Sequence, residues 1–422
     1  MQPGDVIDLE ITGIAHGGTF IGRHGEGDGS GGRVVFAPDA IPGERVRVRL
    51  TDTSRSAFWR AETLEVLDPS PHRRPHVWAE AELDRAPEDR PGGADFGHIT
   101  LAHGRELKAR VAREALARIG RIERDVEVRA IGDAESGEGW RTRLGLHVDA
   151  AGRVGPVAAR SHRVIETTRH PLAAPEIAEA VRSLGSLREG RVDFVLPSDG
   201  RVRVIEKPEA GDASAAAHDE IVQRVGERSF TLAGGGFWQV HREAAGALTG
   251  AVGALLRADP PDPDGEHLDL YGGVGLFAAT LAEAAGSAAR VTSVEAVGEA
   301  TGFARRNLAE FAGATAETGR VDRWLEHVGR DADGARRARI ARGTVVLDPP
   351  RAGAGKRALA ALTALAPRSV VYVACDPVAF ARDARILVDA GYELGSLSGL
   401  DMFPNAHHLE LVAAFTRTPA RL

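Results

Sequence analysis

Cysteine is nearly absent from this sequence of 422 residues, in which Cys375 is the only one. A single cysteine excludes intrachain disulfides, zinc sites built from cysteines and iron–sulfur clusters, because each of these needs several thiolates. Long apolar runs are missing too, since no stretch approaches the roughly 20 residues that a membrane-spanning helix needs. Residues Met1–Asp5 open without a basic or an apolar segment, so the sequence predicts no secretory signal, no membrane partner and a cytoplasmic location.

An excess of positive charge is also lacking. The chain carries 53 basic and 60 acidic residues, for a net charge of −7. This balance argues against non-specific coating of nucleic acid, which depends on neutralising many phosphates, but it leaves room for a local basic groove. The composition, 43% hydrophobic and 27% charged, is that of a folded globular protein. At roughly 150 residues per domain, the length predicts about three domains.

Residues 1–68 predict a small β-barrel, of which the OB type is one common form. Val6–Ile11 and Arg45–Leu50 alternate between apolar and polar residues, and turns rich in glycine or proline separate such runs. The arginines of the second run share one face, and Phe58–Arg60 follow on the next strand. Arginine beside aromatic residues is typical of grooves for single-stranded nucleic acid. The pattern alone favours the alternative, a solvated strand face.

The rest of the chain divides into two further domains. Residues 69–235 show mixed helical and strand-like segments and predict a central α+β domain. Residues 236–422 show strands that alternate with helices, which predicts a Rossmann-like, doubly wound sheet. The predicted fold class is therefore a multi-domain α/β protein with an N-terminal barrel.

Four strand ends in the last domain carry glycine or polar residues, at the edge where doubly wound sheets bind ligands. At the first, Gly273, Gly275 and Ala278 satisfy the pattern G-x-G-x-x-G/A, and Glu295 follows at the distance of an acid that binds ribose hydroxyls. These residues fit an adenosine cofactor, either a nicotinamide dinucleotide or S-adenosylmethionine. A tight strand–helix turn without a ligand explains the glycines equally well.

The other strand ends carry reactive side chains. In Asp348–Arg351, two prolines make a rigid turn that fixes the carboxylate at the end of its strand. Cys375 lies between a strand and a predicted helix N-terminus, a place that favours the thiolate and hence a nucleophile. The segment Asp401–Glu410 holds two histidines and acidic residues, but without cysteines or a third suitably spaced histidine we predict no metal site.

In this order the motifs resemble those of the class I RNA uracil-5-methyltransferase family. The resemblance covers nearly the whole chain, and residues 1–68 are similar to the family's N-terminal TRAM barrel. The matching segments are Phe237–Val240, Asp269–Gly275, Asp348–Arg351, Ala374–Pro377 and His407–Glu410.

The resemblance implies a role for each matching residue. Cys375 would be the nucleophile that adds to C6 of uracil, and Glu410 the base that removes the C5 proton. Arg351 is a weaker candidate for stabilising charge on the uracil oxygens. The substrate would be a uridine in RNA, in ribosomal RNA rather than transfer RNA, and the protein a monomer. The implied S-adenosylmethionine contacts are Gln239, Tyr271, Gly273, Gly275, Glu295 and Asp348.

The sequence departs from the family pattern at two places. Where many relatives carry cysteines for an iron–sulfur cluster, this chain reads Gly92–His98 without a thiol, so we predict no cluster. Leu276 stands where some members have a polar residue near the cofactor. Arg141, Arg143 and Arg160 resemble family positions that hold RNA, with exposed strand arginines as an equal alternative.

Three other functions compete with an RNA uracil-5-methyltransferase. A nicotinamide-dependent oxidoreductase would use the same glycine turn but has no evident use for Cys375 or Asp348. A non-catalytic RNA-binding protein would not need the pair Cys375 and Glu410. Methylation at a base nitrogen is disfavoured because Arg351 replaces the aromatic residue that follows two prolines in that class.

Overall fold

The computed structural model describes residues 1–25, 32–132, 135–158, 161 and 163–418. These ranges form a closed five-stranded barrel, a four-stranded sheet, a two-stranded hairpin and an eight-stranded sheet. The predicted fold class, a barrel followed by α+β and doubly wound parts, is confirmed. In the described part of the chain, every helix is too short or too polar to cross a bilayer.

The barrel forms because alternate side chains of its strands point inward. Leu9 and Val48, for example, are buried, whereas their neighbours along the strand are more exposed. The barrel closes in the order β1-β2-β3-β5-β4. Its strands are β1 (Val6–Ala15), β2 (Thr19–His24), β3 (Arg33–Ala37), β4 (Arg45–Asp52) and β5 (Phe58–Asp68).

The arginine face of β4 is neutralised by carboxylates. Arg47 lies 3.0 Å from both Asp8 and Glu65, and Arg49 pairs with Glu62 on β5. The arginine–aromatic contacts of the described barrel residues involve β5 instead, where the guanidinium groups of Arg55 and Arg60 lie 5.6 and 5.7 Å from the ring of Phe58. The face predicted from Arg45–Leu50 therefore carries little free positive charge.

A long helix, α1 (Leu101–Ala115), leads away from the barrel and continues as a π-helical turn over Leu116–Gly120. Leu107 packs in the barrel core, whereas Ala112 and Leu116 pack in the core of the last sheet. The strand that follows, β6 (Val128–Ala130), pairs in parallel with the last sheet. The predicted central segment, 69–235, thus supplies a helix and a strand to the C-terminal part, and the domain boundaries stay a prediction.

The remainder of the central segment forms two small antiparallel sheets. One has the order β10-β9-β7-β8, and helix α2 packs on β9; the other is the hairpin of β11 and β12. Their elements are β7 (Arg143–Val148), β8 (Val154–Gly155), α2 (Pro175–Arg182), β9 (Gly190–Val195), β10 (Arg203–Pro208), β11 (Glu220–Val225) and β12 (Arg228–Ala233).

The C-terminal part is built on the eight-stranded sheet. Every residue of its central strands is buried, as expected for a parallel sheet with helices on both faces. Its elements are α3 (Ala244–Ala258), β13 (Glu266–Leu270), α4 (Leu276–Ala285), β14 (Arg290–Glu295), α5 (Gly298–Asn307), β15 (Ala314–Thr318), α6 (Val321–Asp331), α7 (Gly334–Arg342), β16 (Thr344–Leu347), α8 (Gly355–Leu365), β17 (Ser369–Ala374), α9 (Pro377–Asp389), β18 (Tyr392–Asp401) and β19 (Glu410–Arg417).

The strand order places the predicted site residues side by side. It runs β15-β14-β13-β16-β17-β19-β18-β6, with β14, β13, β16 and β17 parallel and β19 antiparallel to β17. The carboxyl ends of four neighbouring strands and the start of β19 therefore lie at one edge. The last two strands, β18 and β19, form a hairpin, and β6 pairs with β18, so the hairpin does not lie at the edge of the sheet.

Candidate active site

The turn between β13 and α4 has a backbone that only a special sequence can adopt. Tyr271, Gly273 and Gly275 all have positive φ angles, of 66°, 54° and 94°. For a residue with a side chain, as at position 271, this conformation costs on the order of 1–3 kcal/mol and is typical of functional sites. At Gly272 a Cβ atom would collide with Ser293 and lie 2.6 Å from Asp269 Oδ2. The glycines are thus required by the turn itself.

Glu295, at the end of β14, fastens this turn to the next strand. Its Oε2 accepts a hydrogen bond from the backbone N–H of Gly273 at 3.1 Å, and its Oε1 accepts one from Val297 N–H at 2.8 Å. A Cβ placed on Gly273 would meet no atom within 4 Å. A ligand can therefore approach the backbone here beside a fixed carboxylate, as the sequence predicted for an adenosine cofactor.

Asp269, the last polar residue of β13, is fully buried. Its Oδ2 accepts hydrogen bonds from Ala278 N–H at 3.0 Å and from the Ser293 hydroxyl at 3.2 Å, whereas its Oδ1 has no partner in the described part of the chain. Burial raises the pKa of this carboxyl to about 7. An oxygen without a donor in the cleft marks a place for a ligand's polar group.

We expect Asp269→Asn to stabilise the ligand-free protein increasingly as the pH rises. The pKa of this carboxyl is higher in the folded state than its ordinary value of 3.8. The protonated Asp269 side chain therefore adds to the free energy of unfolding at low pH, and this contribution is lost as the pH rises from about 4 to about 7. Asparagine mimics the neutral acid and carries no such dependence. Between about pH 5 and pH 8 the difference in free energy of unfolding should grow by on the order of 2–3 kcal/mol.

Urea unfolding at each pH measures this difference. The exposed Asp212→Asn is the matched control and should give a curve parallel to that of the original protein. If the curve for Asp269→Asn is also parallel to that of the original protein, the pKa of the Asp269 carboxyl is not raised in the folded state.

Cys375 and Glu410 face each other across two neighbouring strands. β17 and β19 pair with Ala374 opposite Leu411, so the next residues in register are Cys375 and Glu410. Residues opposite each other in an antiparallel pair have Cα atoms roughly 4.5–5.5 Å apart. Asp348 follows β16, the other neighbour of β17, and its N–H donates to the Leu270 carbonyl at 3.2 Å. A thiol and two carboxyl groups from three strands thus share one end of the sheet.

The ionisable groups of this cluster perturb one another. Burial raises the pKa of Glu410 well above its ordinary value, and Asp348 raises it further. Burial and the nearby Asp269 likewise raise the pKa of Asp348. The pKa of the Cys375 thiol is raised to about 12 by burial and then by Glu410 and Asp348, although Arg351 acts in the opposite direction. A cation in the cleft would stabilise the ionised form of all these groups.

The expectation that a helix N-terminus favours the Cys375 thiolate is therefore wrong for the ligand-free site. The helix is present, because α9 begins at Pro377 and the Asp376 side chain caps it by accepting a hydrogen bond from Ala379 N–H at 2.8 Å. Its effect on the thiol is outweighed by burial and by the two carboxyl groups. The sequence could not show this, because Glu410 and Asp348 reach the thiol only through the strand order.

A cavity of about 120 Å³ opens beside Cys375. Its walls come from the end of the sheet that carries Cys375 and also from the barrel. No motif had pointed to Lys108 or to the barrel residues, because these contacts join segments that are far apart in the chain. The lining residues are Ile14–Gly18, Phe96, Lys108, Val111, Arg351, Cys375–Pro377 and His407–Leu409.

The remaining predicted cofactor residues lie around the glycine turn. Gln239 is half-buried in the loop before α3, next to Trp238, which packs in the same apolar cluster as Val274 and Phe277. Leu276 is buried and packs in that cluster as well. Arg351 instead lines the cavity at Cys375, where its guanidinium lies 3.5 Å from His408 Nε2.

The predicted RNA-contacting arginines are not simple exposed strand residues. Arg141 lies over the Trp140 ring at 5.5 Å, and Arg143 donates a hydrogen bond to the Gly236 carbonyl. Burial lowers the pKa of Arg143 to about 10. Its Nε and Nη2 are buried without a partner in the ranges described, so an anion would be a favourable neighbour. Arg160 lies outside the described residues.

Comparison with known proteins gives one domain match and full-length relatives. The sequence model of the TRAM domain matches residues 1–63. An uncharacterized RNA methyltransferase of Streptomyces avermitilis is 34% identical, over 97% of this chain and 98% of that protein. A 23S rRNA (uracil(1939)-C(5))-methyltransferase of Alkalilimnicola ehrlichii is 29% identical, over 98% of this chain and 97% of that protein.

A solved structure shares the fold. The tRNA (uracil-54, C5)-methyltransferase of Pyrococcus abyssi, in complex with S-adenosyl-L-homocysteine, superposes with a TM-score of 0.69 and 20% sequence identity. The similarity covers 97% of this chain and 100% of that one. Barrel, central sheets and C-terminal sheet thus recur together as one architecture.

Proposed function

We propose that this chain transfers a methyl group from S-adenosylmethionine to C5 of a uridine in RNA. The premise is that the chain belongs to the TRAM-containing family of RNA methyltransferases. The family resemblance drawn from the sequence is confirmed by that membership. The observation that carries the choice of C5 is that Cys375 and Glu410 adjoin the paired residues Ala374 and Leu411 of β17 and β19, close enough for Glu410 to raise the pKa of the thiol. A nitrogen atom needs no nucleophile to activate it, whereas C5 of uracil does.

The cleft residues fit S-adenosylmethionine. Glu295 is positioned to accept from the ribose hydroxyls, the open backbone at Gly273 admits the ligand, and Asp269 Oδ1 offers a free acceptor. Asp348 adds a carboxyl group at the end of the adjacent strand. Burial raises the pKa of Asp269 and of Asp348, and a cationic ligand beside them would stabilise their ionised forms. When bound, S-adenosylmethionine supplies an electrophilic methyl group on a sulfonium ion.

The chain's own residues then activate the uracil. The Cys375 thiolate forms a bond to C6, and the electron pair of the C5–C6 double bond passes to C5 and O4 as an enolate. C5 would then take the methyl group from a bound S-adenosylmethionine, which would leave as S-adenosylhomocysteine. Glu410 takes the proton from C5, and the electrons of that C–H bond reform the double bond as the C6–sulfur bond breaks. The thiolate is regenerated, so every atom is accounted for.

The surroundings of Glu410 suit its step, and those of Cys375 include a cation, Arg351, that favours the thiolate against the effect of burial. Burial makes the Glu410 carboxylate a stronger base than an exposed glutamate. Arg351, in the cavity at Cys375, lowers the pKa of the thiol and is a candidate to stabilise the enolate oxygen. The target base must leave its stack to reach the cavity, which favours loops of RNA over regular duplex.

Ribosomal RNA is the substrate that we propose over transfer RNA. The relatives named as 23S rRNA methyltransferases align with this chain over almost its whole length, at 29% and 26% identity. The tRNA methyltransferase of Pyrococcus abyssi is more distant in sequence, at 20% identity. The proposal is therefore a 23S rRNA uracil-5-methyltransferase.

Release of tritium from C5 tests the proposal directly. Unmodified 23S rRNA and tRNA transcripts carrying tritium at C5 of uridine are incubated with the purified protein and S-adenosylmethionine. We expect release of tritium to water, in equal amount to methyl transfer, with the 23S transcript. Methyl transfer without tritium release would point to a nitrogen or ribose oxygen instead, and release from the tRNA transcript alone would reverse the choice of substrate.

A further inference from the structure

The end of β1 and the loop that joins it to β2, together called the barrel turn (Ile14–Gly18), form part of the cavity at Cys375. It belongs to the TRAM barrel, whereas the facing wall, Cys375–Pro377, belongs to the C-terminal part of the chain. The β1–β2 hairpin thus extends beyond its own barrel and reaches the reactive thiol.

Two contacts hold the barrel turn in this position. His16 Nε2 lies 3.1 Å from Oδ2 of Asp376, the residue that directly follows the nucleophile. The other carboxylate oxygen of Asp376 caps α9, so His16 and the helix share one side chain. His16 and Asp376 each stabilise the charged form of the other, so the pKa of His16 is raised and the pKa of Asp376 is lowered.

The second contact requires a glycine. Gly18 has φ of 73°, and a Cβ atom there would collide with Asp95 and lie 2.8 Å from the Cβ of His407. Asp95 Oδ2 and His407 Nδ1 are themselves paired at 2.6 Å. A larger residue at position 18 must therefore push the barrel turn away from the cavity or break this pair.

The barrel does not depend on these contacts for its attachment. Phe96, Ile99 and Leu107 pack in the barrel core and bind it to the start of α1. The buried Glu44 also pairs with Arg73 at 2.7 Å. Changes in the barrel turn should therefore alter the cavity without releasing the domain.

From this geometry we propose that the barrel turn is a wall of the uracil pocket and that His16 is a positioning residue for the Cys375–Pro377 segment. The inference rests on the proposed function and extends it: the barrel takes part in the methylation step and not only in capture of RNA. If the barrel only captured RNA, changes in the barrel turn would alter the affinity for RNA alone. If the barrel turn is a wall of the pocket, such changes alter the rate of methyl transfer at saturating RNA.

The His16 variants test the positioning role. We expect His16→Ala to lower kcat roughly 10- to 100-fold with KM for the 23S transcript within about twofold, because a small displacement of the reacting groups has effects of that size. His16→Gln keeps a side-chain N–H that can donate to Asp376 and should restore most of kcat. A change in KM alone, or unchanged kinetics for His16→Ala, would overturn the positioning role.

Alkylation of the single cysteine tests the wall without RNA or cofactor. Gly18→Ala should raise the rate of Cys375 modification by iodoacetamide about fivefold or more, since the change exposes the thiol without altering nearby charges. Gly43→Ala is the matched control, because Gly43 lies in the same barrel with φ of 94° and open space around it. If both variants and the original protein are alkylated at equal rates, and their melting temperatures show intact folds, the barrel turn is not a wall of the pocket at Cys375.

The two proposals fail in different ways. If the original protein methylates no RNA, the proposed function is wrong, although Gly18→Ala can still expose the thiol. If the original protein is active and the His16 and Gly18 variants behave like it, only the role of the barrel turn is wrong.

Discussion

Replacement of Cys375 by alanine is expected to lower methyl transfer to RNA by about 10⁴-fold or more, a loss typical of removing a covalent nucleophile. Without the sulfur no bond forms at C6, and C5 stays too weak a nucleophile to attack the methyl group. Cys375→Ser should be nearly as inactive, because its hydroxyl is a poorer nucleophile and a poorer leaving group than a thiol. The measurement is single-turnover methyl transfer at saturating 23S transcript.

Binding of S-adenosylmethionine provides the control for this prediction. The residues proposed to hold the cofactor, such as Glu295 and Asp269, are fastened by the glycine turn and do not depend on the thiol. Calorimetry should therefore give a Kd for Cys375→Ala within about threefold of the original value. Activity that survives in Cys375→Ala would rule out the covalent mechanism.

Glu410→Gln is expected to stop the reaction after methyl transfer and before release of the product. Bond formation at C6 and methyl transfer need Cys375, but release of the product needs a base for the C5 proton. An amide cannot serve, so turnover should fall roughly 10²- to 10⁴-fold, the usual contribution of a general base. Protein and RNA should remain joined through the C6–sulfur bond. Denaturing gel electrophoresis measures this product as a band of slower mobility that contains both.

Two comparisons make the result specific. The double variant Cys375→Ala, Glu410→Gln should give no joined product, because the bond involves the Cys375 sulfur. Asp348→Asn should reduce cofactor binding without trapping RNA, since Asp348 is proposed to contact the cofactor. Normal turnover by Glu410→Gln without any joined product would assign the proton transfer to another group.

The sequence predicted which strand ends meet at one edge of the sheet because the signals there are local. Glycines with positive φ and a proline at the start of α9 each mark the end of a strand within a few residues. A doubly wound sheet brings such ends together whatever the intervening sequence. The order of the strands then placed Asp269, Glu295, Asp348 and Cys375 along one edge.

Three elements between α5 and β16 carry local signals of unequal strength. Helix α6 had a readable pattern, because Val321, Trp324, Leu325 and Val328 are buried at helical spacing. Helix α7 had none, since only Ile340 of its nine residues is buried. Strand β15 is short and mostly exposed, as expected at the edge of a sheet.

Contacts between distant segments were beyond prediction. The high pKa of the Cys375 thiol depends on Glu410 and Asp348, which are brought to it by strand pairing. The pairing of His16 with Asp376 depends on how the barrel sits on the sheet. Neither the raised pKa nor the His16–Asp376 contact is signalled by neighbouring residues in the sequence, because both depend on the three-dimensional arrangement of distant segments.

The position of β6 in the last sheet bears on how the chain folds as it is synthesised. β6 pairs with β18, and nearly the whole C-terminal part is made between the two. A nascent chain must therefore keep β6 and the apolar face of α1 without their partners until almost all of the protein has left the ribosome. Such long-range pairing slows folding and leaves an unpaired strand open to association with other chains. The barrel and central sheets can fold early, but the sheet that holds the reactive edge is completed last.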